Sequence, residues 1–589
     1  MNISKAQKKI IKDNYKELSL TELAKKADLT EQTVSKYLKK FNKEPLRNSV
    51  SITSISERVS EITTNAKSIN LKIIVLQNLD IFIGLALLCI AIYIETFFAT
   101  FVSADDLNGF INNPITHNLA GAYKSLELHS IYYATVFSLF GNNALVMHIV
   151  SLTLHIVVSC LVFILFYLLF NRKVAAASAF LFAAHPVNVE SVAWISGVGY
   201  LINGIFAFPF LIAYVMYKKS KNSAYLWISV AIYIVALVLV RLPWTLTAFA
   251  ALLVIDQFLF EKKLNYKGLL KFWPFAVASA LYGLSYLQTG IADRINNLSN
   301  NFGLKPEAAE PLLNRAPYTI YMMLRLYIFP WSLSIFHEGI GISLELYIFM
   351  IISTIAFIIW IIYAWKKQRV LAALSLCAFA SILPTLSPVQ VAFFIAERYM
   401  YFGTAFFSVI LVILFIRLEE KTKTESLAVL LTIIVLFAYS IRSFIRVNDW
   451  KNSKNLWYAT SLTEPGSARV FNNLGDAYSN ENNYQNSINA FQRAIQIQPN
   501  YSDALHNLGN TYLQAGQLDL AEKYLLESYK INPSLYQATY KLGVVEYERG
   551  NIAKALEYFN LTLKLSPNNP DALKAIQIIS AQKAPQKNP

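Results

Sequence analysis

Apolar residues concentrate between residue 79 and about residue 445, and the segments on either side are polar. A helix needs about 20 apolar residues to cross the ~30 Å hydrocarbon layer of a bilayer. Eleven runs approach this length, and they begin near residues 81, 144, 174, 200, 224, 244, 272, 344, 370, 400 and 426. The pattern therefore predicts an all-α, polytopic membrane domain of about eleven spans.

One further apolar run does not fit the alternation of spans. The segment "YTIYMMLRLYIFPWSL", residues 318–333, carries Arg325 in its middle. A crossing here would place every later loop on the wrong side of the membrane. We therefore expect an interfacial or re-entrant helix.

The polar C-terminal region repeats itself every 34 residues. "FNNLGDAY", "LHNLGNTY" and "TYKLGVVEY" place Gly475, Gly509 and Gly543 at that spacing, and a proline recurs near the end of each unit. This period and these residue types predict a tetratricopeptide α-solenoid of paired helices. Such arrays present concave surfaces that bind protein partners, although a plain scaffold role explains the pattern as well.

The N-terminal stretch "SLTELAKKADLTEQTVSKYLKKF", residues 19–41, has the apolar spacing of a helix-turn-helix. Thr30 is placed to cap the second helix, and Asp28 stands where such motifs commonly have glycine, since aspartate tolerates the left-handed turn. The side chains predicted to contact DNA are Gln32, Thr33, Ser35 and Lys36. A small basic helical domain that holds anionic lipid or a partner is the alternative, and both interpretations stay open.

These patterns divide the chain into six segments. They are a helix-turn-helix-like region (1–45), a polar linker (46–78), the multi-span domain (79–446), a second linker (447–466), the repeats (467–575, in units 467–500, 501–534 and 535–568) and a tail (576–589).

Composition supports the membrane assignment and excludes several site types. Hydrophobic residues make up 55% of the chain, and its mean hydropathy is +0.40, too apolar for a soluble protein of this size. The three cysteines all lie in apolar stretches, which predicts neither a loop disulfide nor a cysteine metal cluster. No metal and no cofactor are expected. The first 80 residues contain no apolar core of a signal peptide, so the first span is expected to direct targeting.

The net charge of +15 is unevenly distributed and predicts the orientation. Positive clusters follow every second span: "NRK" at 171, "KKSK" at 218, "EKK" at 261, "KKQR" at 366 and "RLEEKTK" at 417. The positive-inside rule places these loops and the N-terminus in the cytoplasm. The repeats are then extracytoplasmic in a multi-pass protein of the cell membrane.

Three outward-facing segments carry groups that could do chemistry. "SADDLNGFINNP" supplies Asp105 and Asp106, "HPVNVESVAWISG" supplies His185 and Glu190, and "AERYMY" begins with Ala396, so that Glu397 and Arg398 follow. Adjacent carboxylates raise each other's proton affinity, and a carboxylate can accept the proton of an attacking hydroxyl. A plainer interpretation also stands: a solvated end of a span at the aspartates and an interfacial anchor at the arginine.

In this order, and followed by tetratricopeptide repeats, these motifs resemble the transmembrane and tetratricopeptide repeat-containing O-mannosyltransferases and their bacterial and archaeal relatives. The resemblance covers roughly residues 80–575 and implies a GT-C glycosyltransferase. Such an enzyme passes a hexose such as mannose from a polyprenyl-phosphate sugar to a protein hydroxyl or envelope glycan on the extracytoplasmic face. The family's acidic residue of the first outer loop matches Asp105 and Asp106, one of which would be the base.

The same resemblance assigns roles to the remaining polar groups. A polyprenyl phosphate gains negative charge as it leaves, so a fixed cation should lie nearby, with Arg398 preferred over Arg325. His185 could bond the phosphate or a sugar hydroxyl, with Glu190 orienting it and Glu397 completing the donor site. The chain departs from the family where Val198 and Gly199 replace a charged pair, and where Leu242 leaves Arg241 without an acidic neighbour.

Two other classes of function compete with the enzyme. A non-catalytic membrane scaffold or sensor would use the repeats for protein binding and the N-terminal region for nucleic acid or a partner. A flippase or transporter is the third class, although the repeats have no evident place in alternating access.

Overall fold

We describe the fold from a computed structural model of the chain. It describes residues 70–261, 267–286, 288, 312–335, 337, 343–386 and 395–583, and in the N-terminal region residues 4, 7–8, 10–11, 24 and 26–39. Throughout these ranges the regular structure is helical, apart from an isolated β-bridge between His337 and Ile395. The predicted all-α class is therefore confirmed.

The N-terminal helix α1 and the helices of the membrane region come first. They are α1 (Glu31–Lys39), α2 (Leu71–Gln77), α3 (Leu79–Tyr93), α4 (Leu119–Ser125), α5 (Leu128–Phe140), α6 (Ala144–Leu169), α7 (Arg172–Ala184), α8 (Val189–Ala193), α9 (Val198–Ser220), α10 (Ser223–Leu239), α11 (Thr245–Ile255), α12 (Trp273–Ser285), α13 (Leu312–Ile328), α14 (Leu344–Lys367), α15 (Arg369–Ala380), α16 (Tyr401–Thr422) and α17 (Leu427–Asp449).

Every one of the eleven predicted apolar runs is helical, and six of the helices are long and apolar enough to cross a membrane. The chain is thus a membrane protein, while the count of eleven spans stays a prediction. Polar side chains mark where several of these helices begin. Asn143, Asn171 and Asn222 accept a hydrogen bond from a backbone N–H in the first turn of α6, α7 and α10.

Contacts between distant loops define two ends of the helix bundle. At one end, Lys218 and Lys271 both pair with Asp256, at 2.9 and 2.8 Å, and Arg369 donates to a backbone carbonyl of the same region at 2.7 Å. We call this the basic end. At the other, the acidic end, Ser196 of the segment between α8 and α9 contacts the loop that follows α3.

The segment 318–333 begins its helix earlier than predicted. Helix α13 is largely buried, and after its last residue the chain continues without regular structure to Ser334 and Ile335. Both of these residues contact charged side chains at the acidic end. The backbone that follows α13 therefore lies at the acidic end. The interfacial or re-entrant placement of α13 stays a prediction.

The C-terminal region is a stack of paired helices. They are α18 (Ser453–Thr463), α19 (Ala468–Asn480), α20 (Tyr484–Ile497), α21 (Ser502–Gln514), α22 (Leu518–Ile531), α23 (Tyr536–Glu548), α24 (Ile552–Leu565) and α25 (Pro570–Lys583).

Close packing within each repeat explains its glycine. A Cβ added at Gly475 would lie 2.6 Å from the ring of Phe491, and one at Gly543 would lie 2.6 Å from Phe559. The two helices of a pair can approach this closely only because no side chain stands between them. The 34-residue period thus follows from one packing contact that recurs along the array.

The N-terminal region is described only in part. Asp28 has a φ of +50°, and Thr30 Oγ1 accepts a hydrogen bond from the N–H of Thr33 at the start of α1. The helix-turn-helix as a whole stays a prediction. Val34 and Tyr37 are buried in a small apolar cluster, while Thr33 and Ser35 are half-buried. The side chains of Gln32 and Lys36 lie outside the described set. Binding of DNA by this helix stays a prediction.

Gly403 provides a test of packing in the membrane domain. An added Cβ would overlap the Tyr327 hydroxyl and lie 2.7 Å from Ser381 Oγ and 2.8 Å from the carbonyl oxygen of Ala378. Because the backbone oxygen cannot move aside cheaply, Gly403→Ala should lower the free energy of unfolding by about 1–3 kcal/mol. Thermal unfolding of the purified protein, followed by size-exclusion chromatography, measures this loss as a lower Tm.

Gly283→Ala is the matched control, because nothing lies within 4 Å of its added Cβ. It should leave the Tm unchanged or raise it slightly, since alanine favours helix. Equal Tm values for the two variants would contradict the packing described at Gly403.

Candidate active site

The loop of residues 99–106, which follows α3 and is called the aspartate loop below, is built around the side chain of Asp106. Its Oδ1 accepts hydrogen bonds from Ser196 Oγ at 2.6 Å and from the Ser196 N–H at 3.0 Å, and its Oδ2 accepts from the Val102 N–H at 3.0 Å. The residue is only 1% exposed. Three donors from two loops therefore hold this carboxylate in one orientation.

Burial sets the protonation of Asp106. Removal from water raises its pKa to about 6, although the hydrogen bonds from Ser196 and Val102 oppose that rise. The neighbouring charge of Asp105 adds a smaller upward contribution, as expected for adjacent carboxylates. Asp106 therefore changes its charge close to neutral pH.

Asp105 lies in a different environment. Its side chain reaches the surface of the loop, yet the surrounding protein partly desolvates the carboxyl and raises its pKa. The positive charge of Arg398 acts in the opposite direction. Of the two aspartates, Asp105 is thus the accessible one, and it lies within the electrostatic field of Arg398.

Arg398 is held by Glu190 from the segment between α7 and α9. Nη1 of the arginine pairs with one carboxylate oxygen of Glu190, and the other oxygen accepts from the Arg398 N–H at 2.7 Å. The guanidinium also lies over the rings of Trp194 and Tyr399, at 5.0 and 5.1 Å. A buried charge of this kind needs such partners, because desolvation alone would cost several kcal/mol.

Glu397, next to Arg398, turns to a different set of partners. Its Oε1 accepts from Arg446 Nη2 at 3.2 Å and from the Ser334 N–H at 2.5 Å. Arg446 is fully buried on α17 and also pairs with Asp449 at 3.1 Å. Two neighbouring residues thus tie the start of α16 to the segment 185–197, to the segment after α13 and to α17.

Two residues predicted to bind the donor lie elsewhere. His185 is fully buried, its Nδ1 accepts from the Val187 N–H at 3.3 Å and its Nε2 lies 3.4 Å from the Tyr327 carbonyl. Both ring nitrogens are therefore already used within the protein. Arg325 is half-buried on α13, where its Nη1 contacts the sulfur of Met322 at 3.6 Å. Neither contact reaches the aspartates.

Sequence reasoning did not identify Ser196 or Arg446 as site residues. Ser196 is part of "WISG", whose small and polar residues are typical of a tight turn. That pattern indicates a turn but does not identify the serine as a partner of Asp106. Arg446 stands near the end of the last apolar run, where an arginine usually signals an interfacial anchor. Nothing in the local pattern indicates that it pairs with Glu397.

The aspartate loop is also fastened to the beginning of the C-terminal region. The Thr100 N–H donates to the Lys451 carbonyl at 2.9 Å, and the Ser103 N–H donates to Ser453 Oγ at 2.9 Å. Trp457 of α18 donates to Ser103 Oγ at 2.9 Å. Since α18 packs on the first repeat helix α19, the repeats begin beside the aspartate loop.

Within the described residues, no group of three or more His, Cys, Asp or Glu side chains could hold a metal ion.

Comparisons with known proteins support the resemblance seen in the motifs. Two tetratricopeptide repeat family models match residues 466–534 and 506–570. The chain is 24% identical to the protein O-mannosyl-transferase TMTC3 of Homo sapiens over 373 residues, which are 57% of this chain and 40% of the relative. It is 23% identical to TMTC4 of the same species over 393 residues, which are 57% of this chain and 52% of the relative.

A solved structure, "First TPR of Spaghetti (RPAP3) bound to HSP90 peptide SRMEEVD", matches 20% of this chain and 92% of its own, with 21% identity and a TM-score of 0.19. The chain spans about half the length of the curated relatives it matches, or less. The predicted resemblance to the O-mannosyltransferases and the predicted repeats are confirmed. The roles of individual residues stay predictions.

Ser196 offers a test of how the site sets the charge of Asp106. Ser196→Ala removes a hydroxyl that donates to the ionised carboxylate, so protonation becomes easier and the pKa of Asp106 should rise above about 6. A charge-assisted bond of this type is typically worth about 1.5–3 kcal/mol, which predicts a rise of on the order of one pH unit.

The measurement is an infrared titration of the protonated carboxyl band in the purified protein. Asp106→Asn should remove the band and so assign it. Ser191→Ala is the control, since Ser191 is buried nearby without a bond to the aspartate in the described structure. An unchanged midpoint in Ser196→Ala would contradict the hydrogen bond.

Proposed function

We propose that this relative of the protein O-mannosyl-transferases is a membrane glycosyltransferase. It moves a hexose such as mannose from a polyprenyl-phosphate sugar to a protein hydroxyl or envelope glycan on the extracytoplasmic face. The observation that carries the proposal is the pair of aspartates on one loop, of which Asp106 is buried and held by Ser196 and Asp105 is accessible and subject to the positive charge of Arg398. The homology to TMTC3 and TMTC4 supplies the reaction class.

In the proposed reaction, Asp105 is the general base. Its ionised carboxylate takes the proton of the acceptor hydroxyl while that oxygen forms a bond to the anomeric carbon. The bond between the anomeric carbon and the phosphate oxygen breaks, and the polyprenyl phosphate leaves with the electron pair. Asp106 positions the loop, because its three hydrogen bonds leave it little freedom to reach a substrate.

Arg398 is the fixed cation of this proposal. Its charge already acts on Asp105, and the ring of Trp194 together with Glu190 keeps the guanidinium in place. A preorganised cation stabilises the charge that develops on a leaving phosphate. Glu190 is therefore a positioning residue, and Glu397 supports the same region through Arg446.

The repeats are proposed to bring the acceptor. They begin at α18, which contacts the aspartate loop through Trp457 and Ser453. An acceptor held along the array is therefore close to the proposed base. A rigid connection between binding surface and site favours productive encounters over free diffusion.

A transfer assay tests the proposed chemistry. Membranes containing the protein, a radiolabelled polyprenyl-phosphate mannose and an acceptor preparation should yield labelled protein or glycan. Asp105→Asn should lower the transfer rate by about 10²–10⁴-fold, because the base is lost. In the wild type the rate should fall as pH drops through the raised pKa of Asp105, since only the ionised carboxylate accepts a proton.

Asp80→Asn is the matched control, an equivalent change at the basic end where Asp80 pairs with Arg172. It should transfer at the wild-type rate. Full activity in the double variant Asp105→Asn, Asp106→Asn would refute the mechanism. Absence of transfer in the wild type across donor sugars, with the protein folded, would favour the scaffold or sensor alternative.

Orientation is tested separately by cysteine labelling in intact cells. The native Cys89 and Cys377 are buried and Cys160 is half-buried in the membrane domain, so background labelling should be low. Lys530→Cys, exposed on the repeats, should react with an impermeant thiol reagent added outside. Lys221→Cys, exposed at the basic end, should react only after lysis. The opposite result would place the repeats in the cytoplasm.

A further inference from the structure

A lateral groove of about 830 Å³ lies between α10 and α12. Its walls are mainly apolar, and several of the side chains that line it, such as Val238, Val277 and Leu281, are largely exposed on the outside of the bundle. The hydroxyls of Tyr233 and Ser279 are hydrogen-bonded at 2.7 Å and join the two helices near their middles. In a bilayer this groove opens sideways, towards the acyl chains.

The groove has two different ends. Trp227 and Trp273 lie near the beginning of α10 and of α12, at the basic end. Arg241 and Tyr282 line the opposite end, and Tyr282 donates to the Arg241 carbonyl at 3.0 Å. The groove extends about 20 Å from Trp227 to Arg241, at a helical rise of about 1.5 Å per residue. This length is about two thirds of the ~30 Å thickness of the hydrocarbon core of a bilayer.

Arg241 is a cation that a ligand can reach. Its side chain is 44% exposed, and its Nε donates to the Val238 carbonyl at 3.1 Å, which directs the guanidinium to the mouth of the groove. Glu127 contacts Nη1 at the long distance of 3.4 Å and also accepts from Ser130. In the family pattern, the acidic partner at this position is the next residue in the sequence. Here Glu127, from a different loop, takes its place. These two contacts hold the guanidinium in place and leave it further N–H donors for a ligand.

The mouth of the groove is linked to the candidate active site by a short stretch of chain. Trp244, three residues after Arg241, stacks on Tyr399 with ring centroids 4.4 Å apart. Tyr399 adjoins Arg398, whose guanidinium lies over its ring. The side chain of Leu242 packs against the cluster that contains Ile195, next to Ser196. A group bound at Arg241 is therefore at the edge of the aspartate site.

We propose that this groove holds the isoprenoid chain of the donor lipid and that Arg241 binds its phosphate. The inference rests on the proposed function and locates the donor within it. An isoprenoid chain could enter sideways without leaving the hydrocarbon layer, so its apolar surface is never exposed to water. The phosphate would exchange a solvated position for a charge-assisted bond to Arg241. Arg398 would keep the role proposed above, which is to stabilise the charge that develops on the phosphate as the sugar is transferred. The sugar would then extend from the phosphate towards Asp105.

Photocrosslinking tests the occupant directly. A polyprenyl phosphate with a diazirine in its isoprenoid chain is added to the full-length protein in nanodiscs, irradiated, and mapped by mass spectrometry. Labelling should concentrate on peptides containing 227–241 and 273–286. Unlabelled polyprenyl phosphate should compete at least tenfold better than phosphatidylglycerol or uncharged polyprenol.

Two variants separate the groove from the general lipid surface. Val277→Trp fills the groove and should reduce labelling at least fivefold; Leu284→Trp, on the same helix, exposed and outside the groove lining, should not. Arg241→Gln should weaken competition by polyprenyl phosphate about tenfold, whereas Lys124→Gln, an exposed cation on α4, should leave it unchanged. Neither control lies in the proposed catalytic machinery.

Several outcomes would overturn the proposal. Equal competition by phosphatidylglycerol would show that the groove holds ordinary membrane lipid. Labelling unaffected by Val277→Trp would place the isoprenoid chain elsewhere. Binding is measured in Asp105→Asn as well as in the wild type. If the wild type and all variants retain labelling but none of them transfers the sugar, the donor site stands and only the proposed reaction is refuted.

Discussion

The acidic end of the protein depends on two adjacent buried residues of opposite charge. Glu397 and Arg398 point to different partners, Arg446 and Glu190, and each pair is almost completely removed from solvent. An ion pair at this depth contributes little net stability, but removal of one member leaves an uncompensated charge that costs about 3–5 kcal/mol. The two pairs therefore act as a constraint: the segments that carry the partners must meet at the start of α16.

The aspartate loop depends on this arrangement through a chain of contacts. Glu190 and Arg398 hold Trp194 against the guanidinium, and the following residues form the turn that presents Ser196. Gly197 in this turn has no room for a side chain, since an added Cβ would lie 2.9 Å from the carbonyl oxygen of Glu190. Ser196 then holds Asp106. The orientation of a carboxylate on one loop is thus set by an ion pair formed by two others.

The extent to which the sequence predicts this structure follows from the range of each signal. Hydrophobic runs and the 34-residue period report local geometry, so the helices and the repeats could be predicted, and Asp28 adopts the left-handed turn that its position requires. Partner choice between distant loops is a different matter. Arg398 pairs with a residue 208 positions away, and Arg241 finds its acidic neighbour 114 positions away instead of beside it. No periodicity carries that information, because it arises only when helices pack.

In the proposed reaction, the contrast between the two aspartates matches the different origins of the two substrates. An isoprenoid donor is soluble only in the hydrocarbon layer, and a hydroxyl acceptor reaches the site from water, so the reacting atoms have to meet at the boundary between the two. A base at that boundary must be accessible, as Asp105 is, and it must also keep a fixed position relative to a donor held in the membrane domain. Asp106 provides this fixed position: buried one residue away, it joins the loop to Ser196 on the membrane side, while Trp457 and Ser453 join the same loop to the repeats on the other. The loop is therefore fixed from both sides, and the exposed carboxylate between these attachments is placed where the two substrates would meet.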